Sequence, residues 1–221
     1  INDFYDEDTD KYNLKKDDYE IRLARERRLT VLNIIKLVGI LSISLMLIQT
    51  IGGALMIMVW GFLGWAYSSP PLRFKARIGW DSMSNILYGI PGLLGYWQSS
   101  LSLPDWKIIV AIWSWCAAMH LFSAIPDIKA DTKAKLKTTA VKLGWRNSLI
   151  ACLVLWSLTV ILASYGLGVW ALFGLIYPAI CIYLLIGNGK KSITQIYQMF
   201  PKTNALIGLC LFGYAFGPLV N

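Results

Sequence analysis

The sequence predicts an all-α polytopic membrane protein, and three observations support this prediction. The chain of 221 residues is 56% hydrophobic and only 15% charged. Its mean hydropathy is +0.53, which is typical of helical membrane proteins and not of soluble domains. Its apolar residues also form long stretches, most of which have about the 20 residues that a helix needs to cross a bilayer.

Seven apolar stretches follow one another, and we interpret each as a transmembrane helix. Gln49 and Thr50 alone separate the first two stretches, with Gly52 and Gly53 available for a tight turn. One long tilted helix is the alternative there. Together the stretches predict a single transmembrane domain over residues 1–221. The predicted helices cover residues 30–48, 51–68, 80–98, 106–125, 147–164, 168–186 and 204–220.

Basic residues gather on one side of this predicted bundle. When the loops are assigned alternately to two sides, all of the 21 Lys and Arg residues share one face except Lys36 and Lys107. By the positive-inside rule that face is cytoplasmic, which predicts an integral protein of the cell membrane. Contact with anionic membrane lipid explains the net charge of +8, so we do not expect nucleic-acid binding.

The four cysteines are expected to be small buried or lipid-facing residues. They all lie within apolar stretches and lack the paired spacing of metal ligands. We therefore predict no disulfide framework. These residues are Cys116, Cys152, Cys181 and Cys210.

Carboxylates are concentrated at the beginning of the chain. On a helix over residues 2–10, Asn2, Asp6 and Asp10 are spaced one turn apart, and Asp3 adjoins Asp6 and Asp10. Like charges stacked in this way repel, and a divalent cation offsets that cost. Carboxylate and amide oxygens suit Mg²⁺, which also accepts phosphate oxygens as ligands. A solvated acidic tail, or acidity favoured by the helix dipole, is the alternative.

A second acidic pair repeats the one-turn spacing. Asp127 and Asp131 follow the helix that ends near Pro126, on the same predicted side as the first cluster. Two carboxylate pairs with cations on one face predict a site for a metal-bridged polyphosphate. A basic cytoplasmic loop with neutralising acids is the alternative. The surrounding cations and hydroxyl groups belong to Lys129, Lys133, Lys135, Lys137, Thr138 and Thr139.

A basic loop lies between the two acidic motifs. After Tyr67, the consecutive residues Pro70 and Pro71 stop the preceding helix. Three cations then project from the cytoplasmic face, where they are placed to hold a diphosphate opposite the metal. A juxtamembrane lipid anchor is the alternative for at least one of them. The three cations are Arg73, Lys75 and Arg77.

Two further polar residues begin the predicted third helix. Asp81 and Asn85 are one turn apart, and an ionisable residue at this depth indicates a functional role. We interpret Asp81 as a base that takes a proton from a product cation and Asn85 as a substrate contact. An interfacial helix cap is the alternative for Asp81. His120 is expected to hydrogen-bond to a neighbouring helix.

These motifs resemble those of the UbiA superfamily of intramembrane prenyltransferases. The resemblance rests on Asn2-Asp3-x-x-Asp6-x-x-x-Asp10, on Asp127-x-x-x-Asp131 and on the Tyr-x-x-Pro-Pro-x-Arg-x-Lys loop between them. Further stretches look like the carotenoid branch, the lycopene elongases. These stretches are Asn2–Asp6 continuing to Lys16, Ser69–Arg77, Asp81–Asn85 and Ile125–Ile128, the last leading to Thr138-Thr139-Ala140.

The resemblance implies a nine-helix bundle in which the first acidic motif follows the second helix. We therefore expect the chain to be N-terminally truncated, without the first helix and most of the second. Lys135 departs from the family pattern, because many relatives have Gly four residues after the second Asp of this motif.

The resemblance also implies a chemistry, namely Mg²⁺-dependent transfer of an allylic prenyl group from its diphosphate to a hydrophobic acceptor. The expected acceptor is a carotenoid such as lycopene, which would gain a five-carbon unit; a quinone precursor or a glycerol phosphate lipid is the alternative. A cation-binding transporter is the alternative of another class, but transporters tend to place ionisable residues at the bilayer midplane.

Roles follow for the residues that match the motifs. Catalytic roles are expected for Asp6, Asp131 and Asp81. Metal binding is expected for Asn2, Asp3, Asp6, Asp10, Asp127 and Asp131. Substrate binding is expected for Tyr67, Arg73, Lys75, Asn85, Lys133 and Lys137.

Overall fold

The computed structural model describes residues 2–5, 25–187 and 192–216, and these residues form helices and turns without a β-strand. The predicted all-α class is therefore confirmed. Short 3₁₀ segments occupy Phe74–Ala76, Ser84–Tyr88 and Gly168–Leu175. The α-helices are α1 (Asn2–Tyr5), α2 (Arg28–Leu47), α3 (Ile51–Ser68), α4 (Trp80–Met83), α5 (Ile90–Ser100), α6 (Trp106–Ala124), α7 (Ile128–Lys133), α8 (Thr139–Leu167), α9 (Ile176–Ile186) and α10 (Ile193–Phe216).

Four helical stretches in the described part of the chain are long and apolar enough to cross a membrane. They are α2, α3, α6 and a stretch of 48 residues from Thr139 to Ile186. The last stretch turns back at Gly168, whose φ is 54°, and α9 packs against α8. The predicted count of seven transmembrane helices is not confirmed.

The boundary between the first two predicted helices is confirmed, and the alternative of one long helix is wrong. The backbone N–H groups of Ile48 and Gln49 bond to carbonyls of the last turn of α2. Thr50 then caps α3, since its hydroxyl accepts from the backbone N–H of Gly53 at 3.4 Å. The indole N–H of Trp97 donates to the same hydroxyl at 2.8 Å. This turn therefore also holds the end of α5.

The predicted helix over residues 80–98 is broken, so its prediction as one continuous span is wrong. Helix α4 ends at Met83 and α5 begins only at Ile90. Two polar side chains in the break bond to backbone carbonyls of α4. The hydroxyl of Ser84 donates to the carbonyl of Trp80 at 2.6 Å, and the amide of Asn85 donates to that of Asp81. Such local bonds compete with the helical pattern.

Gly89 brings this break into close contact with α6. A Cβ atom at Gly89 would lie 2.3 Å from Cγ2 of Ile112. We therefore expect Gly89→Ala to lower the free energy of unfolding by about 1–3 kcal/mol through overpacking. Thermal denaturation of the purified protein measures this loss. The matched control is Gly92→Ala in α5, because a Cβ atom there meets no atom within 4 Å.

Ile112→Ala removes the obstructing Cγ2 atom and provides the compensating test. The double variant with Gly89→Ala is expected to be more stable than the sum of the two single losses predicts. Strict additivity of the two losses would contradict the assigned close contact.

The remaining predicted helices differ from the structure mainly at their ends. The first eight residues of the predicted span 168–186 form a 3₁₀ segment, Gly168–Leu175. Helix α10 begins at Ile193, well before the predicted start at residue 204, and contains Pro201. Gly144, with φ 74° and ψ 168°, interrupts the regular geometry of α8. The first turn of α8 is thus separate from the long apolar part that follows.

Aromatic packing joins α6, α8, α9 and α10. Trp156 is completely buried, with its ring centroid 5.6 Å from that of Phe122, 5.2 Å from that of Tyr177 and 5.8 Å from that of Phe200. By contrast, α2 has no buried residue, so its apolar side chains are available to lipid. The cysteines are free thiols, as predicted: Cys116, Cys152 and Cys181 are buried and Cys210 is partly buried.

Candidate active site

The end of the bundle that contains Tyr67 is also the end where the described part of the first acidic motif lies. Helices α2 and α3 pack against each other across a short turn, so Arg28 at the start of α2 lies at the same end as Tyr67 near the end of α3. The guanidinium of Arg28 is 4.6 Å from the ring centroid of Phe4. This contact holds α1 at that end.

Some of the predicted metal ligands lie outside the residues that the structure describes. Asp6 and Asp10 lie outside the described residues. Asn2 and Asp3 are placed in α1 by their backbone alone. Their predicted roles as ligands stay predictions.

The basic loop begins where α3 ends, as the two prolines predict. Arg73 has φ 38°, and its backbone N–H donates to the carbonyl of Ser69 at 2.8 Å, which closes a turn. Arg73 and Lys75 are half-buried, whereas Arg77 is exposed. Arg77 bonds within its own loop, since its Nη2 donates to the carbonyl of Pro71 at 2.8 Å. Two of the three predicted cations thus lie partly inside the protein surface.

The second acidic pair lies on α7 and the residue that precedes it. The backbone N–H of Asp131 donates to the carbonyl of Asp127 at 2.8 Å, and both residues are half-buried. The predicted one-turn spacing is therefore confirmed. The hydroxyl of Thr138 lies 3.3 Å from Oδ2 of Asp131, to which it donates. It also accepts from the backbone N–H of Val141 and caps α8.

The lysines around this pair are exposed. Lys133 is the last residue of α7 and Lys137 lies in the segment that joins α7 to α8, and both are exposed. Lys135, which departs from the family pattern, has φ 57°. This left-handed conformation is one that glycine adopts more readily than lysine.

A buried contact joins the segment after the basic loop to the segment after the acidic pair. The Asp81 side chain is 1% exposed. Its Oδ2 accepts from the backbone N–H of Thr139 at 2.6 Å, and its Oδ1 accepts from the hydroxyl of Thr139. The same hydroxyl accepts from the backbone N–H of Gly79 at 2.6 Å. We call this arrangement the Asp81–Thr139 contact. It was not predicted, because 57 residues separate its partners.

Tyr67, near the end of α3, packs against His120, a residue that lines a cavity. It is close enough to Asp81, Asp131 and Tyr88 for electrostatic interaction. Its ring meets that of His120 edge-on, with centroids 5.8 Å apart. The sequence analysis did not predict this pairing of Tyr67 with His120.

A cavity of about 330 Å³ opens beside these residues. It combines amide, imidazole and hydroxyl groups with aromatic and thioether surface, so it suits a largely apolar ligand with a few polar contacts. Three of its lining residues, Met119, Ser123 and Tyr197, gave no signal in the sequence. The lining residues are Asn85, Tyr88, Trp115, Cys116, Met119, His120, Ser123 and Tyr197.

A second cavity, of about 270 Å³, shares Trp115 with the first. Its surface is almost entirely apolar, and α10 contributes Gly208 and Leu211. The hydroxyl of Tyr177, another lining residue, donates to Oδ1 of Asn204 at 2.7 Å. Trp115 thus separates two spaces within one bundle.

The acidic pair suits a hard divalent cation, because its donors are carboxylate oxygens. No group of three or more His, Cys, Asp or Glu residues able to hold a metal occurs within residues 2–5, 25–187 and 192–216. The predicted roles of Asp127 and Asp131 as metal ligands stay predictions. Phosphate oxygens and water complete the coordination of Mg²⁺ in many sites of this kind.

An apolar helical bundle with carboxylates, cations and an aromatic cavity at one end is the arrangement of an intramembrane enzyme for a phosphate-bearing substrate. The chain belongs to the UbiA prenyltransferase family, whose profile matches residues 1–217. It is an integral membrane prenyltransferase.

Several characterised proteins are similar to this chain. The lycopene elongase/hydratase of Haloarcula japonica is 34% identical over 95% of this chain and 70% of its own length. The protein of the same name in Haloferax volcanii is 33% identical over 100% of this chain and 72% of its own. The homogentisate phytyltransferase of a Synechocystis species is 26% identical over 91% of this chain and 72% of its own length. No solved structure matches the chain.

Proposed function

We propose that the protein adds a five-carbon allylic unit to lycopene or a related carotenoid, in a Mg²⁺-dependent reaction with an allylic diphosphate. One observation supports this proposal most strongly: the acidic pair, the half-buried cations and an aromatic cavity are at the same end of the bundle. The names of the relatives from Haloarcula japonica and Haloferax volcanii favour lycopene as the acceptor.

The diphosphate binds between the two charged segments in this proposal. Asp127 and Asp131 hold Mg²⁺, with Asn2, Asp3, Asp6 and Asp10 as further ligands from the first motif. When bound, Mg²⁺ neutralises the diphosphate and makes pyrophosphate a better leaving group. Arg73 and Lys75 contact the phosphate oxygens from the opposite side, and Arg73 can form a bidentate contact. Lys133 and Lys137 add positive charge at the entrance.

The allylic group reacts in the cavity. The bond between the allylic carbon and the diphosphate oxygen breaks, and the resulting carbocation lies among the rings of Tyr88 and Trp115. Their electron-rich faces stabilise a cation, while the apolar surroundings exclude water. A double bond of the acceptor then attacks the cation, and the product cation loses a proton to the released pyrophosphate. Asn85 contacts the substrate at the cavity wall. Tyr67 contacts the substrate beside His120, the lining residue that its ring meets.

The site faces the cytoplasm in this proposal, on a protein of the cell membrane. Cations dominate the connections at the end of the bundle that contains the site, which is the distribution described by the positive-inside rule. A water-soluble diphosphate then enters from the cytoplasm, and the carotenoid enters laterally from lipid. A quinone precursor is the alternative acceptor, favoured by the phytyltransferase relative.

Expression in lycopene-producing bacterial cells tests the acceptor. We expect carotenoids heavier than lycopene by five-carbon units in cells with the full-length protein, and unchanged lycopene in cells with Asp127→Ala. Unchanged lycopene in both strains, with a folded and well-expressed protein, would exclude the carotenoid acceptor.

The second cavity gives a prediction about a long acceptor. A Cβ atom at Gly208 meets no atom within 4 Å, so Gly208→Leu fills the cavity without a backbone clash. If the remainder of the C40 chain lies there, this variant raises KM for the carotenoid at least about tenfold, which is within the range for steric mismatch in an apolar pocket. The KM for the diphosphate stays unchanged. Initial rates in proteoliposomes measure both constants.

Gly213→Leu is the matched control on the same helix. Gly213 is exposed and a Cβ atom there also meets no atom within 4 Å, but it does not line the second cavity. Equal carotenoid KM values for both variants would exclude the second cavity as an acceptor site.

A further inference from the structure

We propose that Asp81 and Thr139 are positioning residues, which fix the basic loop and the acidic pair relative to each other so that both reach one diphosphate. This inference rests on the proposed function and assigns Asp81 a different role from that of a base. It follows from the hydrogen bonds of the Asp81–Thr139 contact and from its place between the two charged segments.

The carboxylate of Asp81 is already engaged by donors. Its Oδ1 accepts from the hydroxyl of Thr139 and from the backbone N–H of Ser82 at 2.9 Å. Its Oδ2 accepts from the backbone N–H of Thr139 at 2.6 Å. A base must lie within hydrogen-bond reach of the proton that it takes, and Asp81 is not among the residues that line the first cavity. A carboxylate that is 1% exposed and accepts hydrogen bonds at both oxygens is suited to hold structure.

Thr139 connects this carboxylate to the acidic pair. It is the first residue of α8, and its backbone N–H has no carbonyl partner within the helix. Asp81 satisfies that group, and a negative charge is favourable at a helix N-terminus. The preceding residue, Thr138, donates to Oδ2 of Asp131. A shift of Thr139 therefore moves the hydroxyl that contacts Asp131.

Gly79 and Asp81 connect the same contact to the basic loop. The backbone N–H of Gly79 donates to the Thr139 hydroxyl at 2.6 Å, and Gly79 has φ 82°. The backbone N–H of Asp81 donates to the carbonyl of Arg77 at 3.0 Å. The segment from Arg73 to Asp81 is thus attached to Thr139 by hydrogen bonds at its C-terminal end. One hydroxyl and one carboxylate fix the separation of the Arg73 segment from the Asp131 segment.

Asn85 extends the connection to the cavity. Its side-chain amide donates to the carbonyl of Asp81, and Asn85 lines the first cavity. Loss of the contact is therefore expected to affect the diphosphate site directly and the cavity wall to a smaller extent.

Thr139→Ala and Thr139→Ser provide the test in the full-length protein. The binding of inorganic pyrophosphate with Mg²⁺ is measured by calorimetry, together with kcat and both KM values. We expect Thr139→Ala to weaken pyrophosphate binding and raise the donor KM about tenfold, as for other residues that orient ligand groups. Thr139→Ser retains the hydroxyl and is expected to restore wild-type values. The carotenoid KM should change little.

Thr159→Ala is the matched control on α8. The hydroxyl of Thr159 donates to the carbonyl of Ala111 on a neighbouring helix at 3.3 Å, and Thr159 is far along α8 from the charged segments. Because Thr159 lines the second cavity, this control is compared for pyrophosphate binding alone. A general loss of bundle stability would weaken pyrophosphate binding in both variants and overturn the proposal. A loss confined to Thr139→Ala supports it.

Asp81→Asn separates a positioning residue from a base. If Asp81 is a positioning residue, Asp81→Asn weakens pyrophosphate binding. The double variant Asp81→Asn/Thr139→Ala then binds pyrophosphate as tightly as the more affected of the two single variants. A base predicts lower kcat with unchanged pyrophosphate binding, and this result would overturn the proposal.

Pyrophosphate binding does not require turnover, which keeps the two proposals distinguishable. If the wild type binds pyrophosphate but leaves lycopene unchanged, the carotenoid proposal fails and the variants still test the contact. If the wild type does not bind pyrophosphate with Mg²⁺, both proposals fail. Wild-type affinity in Thr139→Ala overturns only the positioning role.

Discussion

Asp131→Asn is expected to reduce pyrophosphate release from an allylic diphosphate by at least about 10²–10³-fold, the range for removing one charge-stabilising group from an active site. The substitution retains the shape of the side chain and its contact with Thr138, which lies 3.3 Å away. It removes the negative charge that is proposed to hold Mg²⁺. Release is measured with a coupled phosphate assay at saturating Mg²⁺, and thermal denaturation verifies the fold.

Asp105→Asn is the matched control for this prediction. Asp105 caps the opposite end of α6, where its Oδ1 accepts from the backbone N–H of Lys107 at 2.8 Å. Asn is about as good a helix cap as Asp, so activity and stability should remain near those of the wild type. Comparable activity losses in both variants would contradict a specific metal role for Asp131.

Arg73→Gln is expected to raise the KM for the diphosphate about 10–100-fold, because a hydrogen bond to a charged group contributes about 1.5–3 kcal/mol. The half-buried Arg73 is proposed to contact phosphate oxygens. Its backbone has a left-handed φ of 38°, and the exchange of Arg for Gln leaves this backbone strain in place. The KM for the acceptor should stay unchanged. Initial rates at varied concentrations of each substrate measure the two constants.

Arg77→Gln separates this local role from general electrostatic attraction. Arg77 is in the same loop and has the same charge, but its guanidinium is exposed and bonds to Pro71. We expect less than about a threefold change in donor KM, because exposed charges are screened by salt. Equal increases in donor KM for Arg73→Gln and Arg77→Gln would contradict direct phosphate contact by Arg73.

The sequence predicted the elements whose cause is local. Hydropathy identified the apolar helices, and the residues at Gln49 and Thr50 located the turn between α2 and α3. Pro70 and Pro71 located the end of α3, because proline cannot continue a helix. The break after Met83 was missed, since the hydrogen bonds of Ser84 and Asn85 that form it are invisible to hydropathy.

The sequence predicted the motifs of the candidate site but not the tertiary contacts that join them. The one-turn spacing of Asp127 and Asp131 is a property of consecutive residues, so the sequence is sufficient for it. The Asp81–Thr139 contact depends on tertiary packing between distant segments. The base role of Asp81 stays a prediction, and the hydrogen bonds of its carboxylate to backbone and hydroxyl donors could not be predicted from the sequence. The pairing of Tyr67 with His120 was missed for the same reason.

The most direct test of the central proposal is mass spectrometry of carotenoids after incubation of the full-length protein in proteoliposomes. The vesicles contain lycopene, and the reaction receives a five-carbon allylic diphosphate with Mg²⁺. The proposal predicts products that exceed lycopene by one or two five-carbon units, with one pyrophosphate released for each unit and no product in EDTA. Pyrophosphate release with unchanged lycopene would contradict the proposed acceptor.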